Sequence, residues 1–100
     1  MEVKIDKTPN KTLVTLSGRV DTTTAAQFQQ DITPLMEGDN PVIDIDCNGL
    51  TYTSSQGLRV FLMLQKSVMA RHGSMVMRNM NPRVKEVFDI TGFSNIITII

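Results

Sequence analysis

The sequence has a single cysteine and a single histidine. Cys47 therefore lacks a partner for an internal disulfide, and one thiol with one imidazole is too few ligands for a zinc site. Its expected place is buried on a strand, as a small apolar residue. Net charge is missing too, since ten basic residues balance ten acidic ones. A neutral chain has no long-range field to draw it onto nucleic acid or anionic lipid, and no lysine or arginine run creates one locally. The longest apolar run, Val60 to Leu64, is far too short to cross a bilayer. The start, Met1-Glu2-Val3-Lys4, lacks the basic and apolar regions of a secretion signal. Repeats, low-complexity stretches and linkers are also absent. The chain is thus expected to act without metal or cofactor, to bind no nucleic acid and to make no direct membrane insertion. What is present is 100 residues, 41% hydrophobic and 20% charged. That is the size and composition of one domain over residues 1–100, built on one core, and without a signal or a spanning run it is expected to be soluble and cytoplasmic.

Alternation in Val3 and Ile5, then in Leu13 to Leu16, predicts two strands joined through Pro9-Asn10-Lys11 as a hairpin. Asp21-Thr22-Thr23 offers short oxygen-bearing side chains to cap a helix, and Ala25, Phe28, Ile32 and Leu35 form one helical stripe that Pro34 ends or bends. After the turn Gly38-Asp39-Asn40-Pro41, Val42 to Cys47 reads as a strand with Ile43, Ile45 and Cys47 on one face. A loop from Asn48 to Gln56 leads to a second helix over about Ser55–Arg71, with Leu58, Phe61, Leu62, Val68 and Met69 inward. His72-Gly73 closes it. Met75-Val76-Met77 is a strand. Asn81-Pro82 opens a third helix lined by Val84, Val87 and Phe88, and Ile96 to Ile100 is a last strand. This predicts an α/β fold: a mostly parallel, mixed sheet of about five strands, an N-terminal hairpin and three main helices packed on the sheet. Partners of such sheets meet the carboxyl ends of the strands, here the loops Gly18–Thr24 and Asn48–Gln56.

The second of these loops places Ser54 and Ser55 at the positive end of an apolar helix, where free N–H groups and the helix dipole would receive a phosphate. Gly57 is read as baring the backbone to a visitor. A serine pair ahead of a helix is more often a cap than a modification site, and the spacing alone favours the cap. The run Val42-Ile43-Asp44-Ile45, Leu50, Tyr52 and Ser54-Ser55-Gln56-Gly57-Leu58-Arg59 nevertheless resembles the STAS domain signature of the anti-sigma-factor antagonist family. Upstream Gly18-Arg19-Val20-Asp21, Ala25 and Phe28 match as well. So do downstream Asn81-Pro82, Val84, Phe88-Asp89 and Thr91-Gly92-Phe93, so the resemblance covers nearly the whole chain.

The resemblance implies a protein that is not an enzyme. Such an antagonist binds an anti-sigma factor that is also a serine kinase. It is released when that kinase phosphorylates one serine, and it is restored by a metal-dependent serine phosphatase. The family motif, aligned on Gly57-Leu58, puts the acceptor on Ser55. Ser54 stands where the family has aspartate and is an alternative acceptor, and Gln56 also departs from the pattern. Family members often carry a further helix beyond the point corresponding to Ile100. Asp21, Thr22, Thr53, Ser54, Gln56, Gly57, Arg59 and Met63 are the expected partner contacts. Arg59, Met63, Lys66 and Ala70 share the helix face away from the core, where a methionine suits an adaptable contact. Asp21 could equally cap its own helix. Asp21 and Asp46 are expected near one another at the strand ends.

A Ser-His nucleophile is disfavoured, because His72 lies about 24 Å of helix from Ser55. Neither a dinucleotide glycine fingerprint nor a phosphate-loop lysine occurs. The remaining alternative lies within the resemblance: an unphosphorylated STAS subunit that docks on a lipid-transport or other membrane ATPase.

Overall fold

The computed structural model describes residues 1–100. In chain order the elements are β1 (Glu2–Lys7), β2 (Thr12–Val20), α1 (Ala25–Asp31), a 3₁₀ turn at Thr33–Met36 and β3 (Val42–Thr53). They continue with α2 (Ser55–Ala70), β4 (Ser74–Arg78), α3 (Pro82–Ile90), a 3₁₀ turn at Phe93–Asn95 and β5 (Thr98–Ile99). The sheet order follows the chain, β1-β2-β3-β4-β5, with β1 antiparallel and the rest parallel. Right-handed crossovers that always step in one direction carry every helix to one face of the sheet. Val14, Leu16, Ile43, Ile45, Cys47, Met75 and Met77 are therefore buried, while the alternate residues Thr15, Ser17 and Arg78 face water.

Three phenylalanines tie the helices together under this sheet. Phe28 of α1 meets Phe61 of α2 edge-on at 5.1 Å between centroids, and Phe61 meets Phe88 of α3 at 5.7 Å. Such pairs add about 0.5–1.5 kcal/mol beyond the area that they bury. At the far end of α2 the Arg71 guanidinium donates to the carbonyls of Leu35 at 2.8 Å and Glu37 at 2.6 Å, fastening that end to the turn after α1. Pro34 ends the regular helix as expected, and the chain continues there as the 3₁₀ turn.

The α/β architecture, the hairpin and the three helices agree with the sequence reading. Four details differ. First, β3 runs on to Thr53, so most of the supposed loop Asn48–Gln56 is strand. Gly49, expected within that loop, instead serves close approach between strands, because a Cβ there would lie 2.8 Å from the Leu16 carbonyl oxygen. Two register shifts, each with one extra residue on β3 against β2, absorb the irregularity. Second, Met69 is 56% exposed, since it follows the buried Val68 by one step of about 100° around the helix. Third, the left-handed residue that ends α2 is His72 (φ 61) rather than Gly73. Fourth, the last strand is only Thr98–Ile99, because Phe93–Asn95 coils first.

Candidate functional site

The carboxyl ends of β2 and β3 fix where α2 begins. Val20 pairs with Thr53, and the Ser54 N–H donates to the Val20 carbonyl at 2.7 Å. Ser54 is extended (φ −88, ψ 174), and its Oγ accepts the Gly57 N–H at 3.2 Å, so it is the N-cap. Ser55 is then the first helical residue. It is exposed, and its hydroxyl enters no hydrogen bond within the chain. The N–H groups of Ser55 and Gln56 have no backbone acceptor, the ordinary state of a first turn. The structure thus separates the two serines. Ser54 holds the helix start together, and Ser55 presents a free oxygen above it.

Gly57 does not bare the backbone to a visitor. It is buried, and a Cβ there would strike Thr53 Oγ1 and lie 2.7 Å from Val20 Cγ1. Its hydrogen side chain lets α2 sit down on the strand ends. Thr53 is only 3% exposed, and its Oγ1 donates to the Ser54 carbonyl at 3.2 Å. Both Thr53 and Gly57, expected as partner contacts, therefore belong to the support beneath the site instead of its surface. Asp46 is a further correction. It lies midway along β3, opposite Thr15 and Arg78, so it is remote from Asp21 and from the start of α2. There it accepts the Asn48 N–H at 2.9 Å and Asn79 Nδ2 at 3.2 Å.

Asp21 caps its own loop. Its Oδ1 accepts from the Thr23 N–H at 2.9 Å, the Thr23 hydroxyl at 2.7 Å and the Thr24 N–H at 3.2 Å. These bonds, the Thr23 hydroxyl first, hold its pKa below the ordinary carboxylate value. Its other oxygen lies 3.7 Å from Arg19 Nε. The helix proper starts one step later than expected, with Thr24 at the N-cap.

Beside Ser55, α1 and α2 leave an open groove of about 320 Å³. Its α1 wall is Ala25, Ala26 and Gln29, and its α2 wall includes Gln56, Arg59 and Met63, with Thr22 at one end. Four expected contacts, Thr22, Gln56, Arg59 and Met63, are thereby brought to one surface. Met63 is half-buried rather than fully outward, with Gln29 Nε2 3.9 Å from its sulfur. Ala26 and Gln29 escaped the sequence reading. The only available signal was the pair of small residues Ala25-Ala26 at the start of α1. A smaller hollow of about 210 Å³ flanks the same strand ends on the other side, between Arg19, Tyr52 and Arg83. There the Arg19 guanidinium stacks 4.4 Å from the Tyr52 ring centroid.

The site holds no activated nucleophile. His72 lies beyond the opposite end of α2. Cys47 is buried, and burial foremost, with Asp46 adding to it, pushes its thiol up to about 12. The arrangement is a shallow, partly apolar slot with Arg59 in its wall and the exposed Ser55 hydroxyl next in the chain to its lining. The chain matches a known family. A family model described as "Mlab, STAS domain" matches residues 3–99.

The chain belongs to the STAS domain family of anti-sigma factor antagonists.

The STAS domain is 30% identical to the anti-sigma-B factor antagonist of Bacillus subtilis over 99 residues, 99% of this chain and 90% of that protein. It is 31% identical over 96 residues, 96% of this chain and 83% of its relative, to BtrV of Bordetella bronchiseptica, a candidate anti-sigma factor antagonist. Among solved structures it superposes on the unphosphorylated anti-sigma factor antagonist SpoIIAA with a TM-score of 0.80, at 20% identity, covering 99% of this chain and 88% of the other. The phosphorylated form of SpoIIAA, from Bacillus, superposes with a TM-score of 0.73, also at 20% identity, covering 99% and 91%. No helix of the STAS domain is long and apolar enough to cross a membrane.

Proposed function

We propose that this STAS domain is a cytoplasmic binding protein rather than a catalyst, that it captures an anti-sigma factor on the α1–α2 groove, and that phosphorylation of Ser55 releases that partner. The observation that carries the reading is the division of labour at the helix start. Ser54 supplies the cap, which leaves the Ser55 hydroxyl exposed, next in the chain to Gln56 of the groove lining. The partner is also the kinase. Its bound ATP gives up the γ-phosphoryl group to Ser55 Oγ, ADP departs, and the hydroxyl proton is lost. A metal-dependent phosphatase hydrolyses the ester and resets the protein.

A phosphate on Ser55 brings about −1.5 to −2 charges and three strong acceptors. At the first position of a helix that charge meets a favourable dipole, so the domain itself keeps its fold. The damage falls on the complex, because a dianion closed into a dry interface without partners costs several kcal/mol. Each ~1.4 kcal/mol is a tenfold change in affinity. Arg59, Met63, Gln56 and Thr22 supply the contacts that the unmodified surface offers. SpoIIAA, solved both with and without phosphate, supports a switch of this kind on this fold.

The test is to incubate the domain with ATP and its cognate anti-sigma kinase and to read the intact mass. The expected result is one added phosphate that Ser55→Ala abolishes and Ser54→Ala leaves in place. A second reading, a STAS subunit that only docks on a membrane ATPase, is favoured by Ser54 standing where the family has aspartate before its acceptor. Formation of a stable complex with no phosphate uptake would support that reading and overturn the switch.

A further inference from the structure

We infer that Arg59 is the intramolecular receptor for the phosphate on Ser55, so that modification removes the one cation on the α2 side of the groove as well as adding negative charge. This rests on the reading of Ser55 as the acceptor. Ser55 and Arg59 are four residues apart on α2, which puts them one above the other on the same face, with Cβ atoms about 5–6 Å apart. The order is the favourable one, with the anion toward the helix N-terminus and the cation one turn after it. Both side chains are exposed, so neither has to break packing to reach the other.

Arg59 is available. The ion pairs of the domain use Lys4, Lys11, Arg19, Arg78 and Lys85, and Arg59 takes part in none of them. It forms a wall of the groove instead. The acid on the adjoining loop, Asp21, is already held by Thr23, Thr24 and Arg19. No acidic residue lies in the first turn of α2. A planar guanidinium can take two phosphate oxygens at once, and the free N–H groups of Ser55 and Gln56 stand at the same end of the helix. The groove then changes character in two ways. A charge appears at its mouth, and the guanidinium that lined it turns back along the helix.

The experiment needs neither kinase nor partner, so its failure is distinct from failure of the proposed function. Phosphoserine is placed at position 55 by genetic encoding, in the parent sequence, in Arg59→Gln and in Arg59→Lys. The phosphate is titrated by phosphorus NMR, and the Arg59 Nε–H is followed in the parent protein. The second phosphate pKa is expected about half a unit to one unit lower in the parent than in Arg59→Gln, with Arg59→Lys between them, as for an anion facing an opposite charge. The Nε–H signal should shift on phosphorylation. Identical titrations in the parent and Arg59→Gln proteins, with an unmoved Nε–H signal, would overturn the inference and leave the acceptor role of Ser55 standing.

Discussion

Helices α2 and α3 both begin at the carboxyl end of a parallel strand under a side-chain cap, but they leave different groups at the surface. At α3 the Asn81 Oδ1 accepts the Val84 N–H at 2.9 Å, its Nδ2 donates to the Leu50 carbonyl at 2.9 Å, and Pro82 follows with neither an N–H nor a hydroxyl. At α2 the Ser54 Oγ accepts the Gly57 N–H at 3.2 Å, and the next residue is Ser55, with its hydroxyl free. Capping closes both helix starts. Only α2 keeps a free hydroxyl, and it does so because a different serine carries the structural duty.

The comparison can be broken at its foundation first. Gly57→Ala would drive a Cβ into Thr53 and Val20, so the denaturant midpoint should fall by an amount equivalent to about 1–3 kcal/mol. Asn81→Ala removes a cap and leaves the Leu50 carbonyl without its donor, a loss of about 1–2 kcal/mol in the same measurement. Ser54→Ala should cost about 1 kcal/mol, while Ser54→Asp, which keeps an acceptor at the cap, should cost little. Ser55→Ala should move the midpoint by no more than about 0.5 kcal/mol, because nothing in the fold depends on its hydroxyl. If Ser55→Ala destabilised as much as Ser54→Ala, the two serines would share one structural role and the contrast would be gone.

The smallest effect concerns acid. The pKa of Asp21 is lowered in the folded state, so its contribution to stability is present above its unfolded pKa and is lost as pH falls through the folded value. Because the carboxylate is only partly buried and solvent screens it, the effect is small. Urea midpoints measured downward from about pH 5 should fall less steeply in Asp21→Asn than in the parent protein.

What the sequence disclosed and what it concealed follow from the range of the interactions. The stripe Ala25, Phe28, Ile32, Leu35 and the Asn81-Pro82 start depend on residues three or four apart, and both are readable as written. The extension of β3 through Thr53 was hidden, because Asn48-Gly49 carries the local mark of a turn while pairing with β2 holds it in the sheet. The start of α2 was half legible. Two serines before a glycine allow a cap on either one, and only the extended backbone at Ser54 with its bond to Gly57 assigns the duty. Thr53 and Gly57 looked like surface because the burial that removes them comes from Val20, more than thirty residues earlier. The groove wall formed by Ala26 and Gln29 needed the packing of α1 on α2, which no local pattern encodes.

The decisive measurement is a pair of values on one preparation carrying phosphoserine at position 55: its thermal midpoint and its affinity for the anti-sigma factor. A charge that spares the helix but closes the surface predicts a midpoint within about 2 °C of the unmodified protein and an affinity lower by a factor on the order of one hundred or more. Unchanged affinity, or a midpoint that collapses together with binding, would contradict the account.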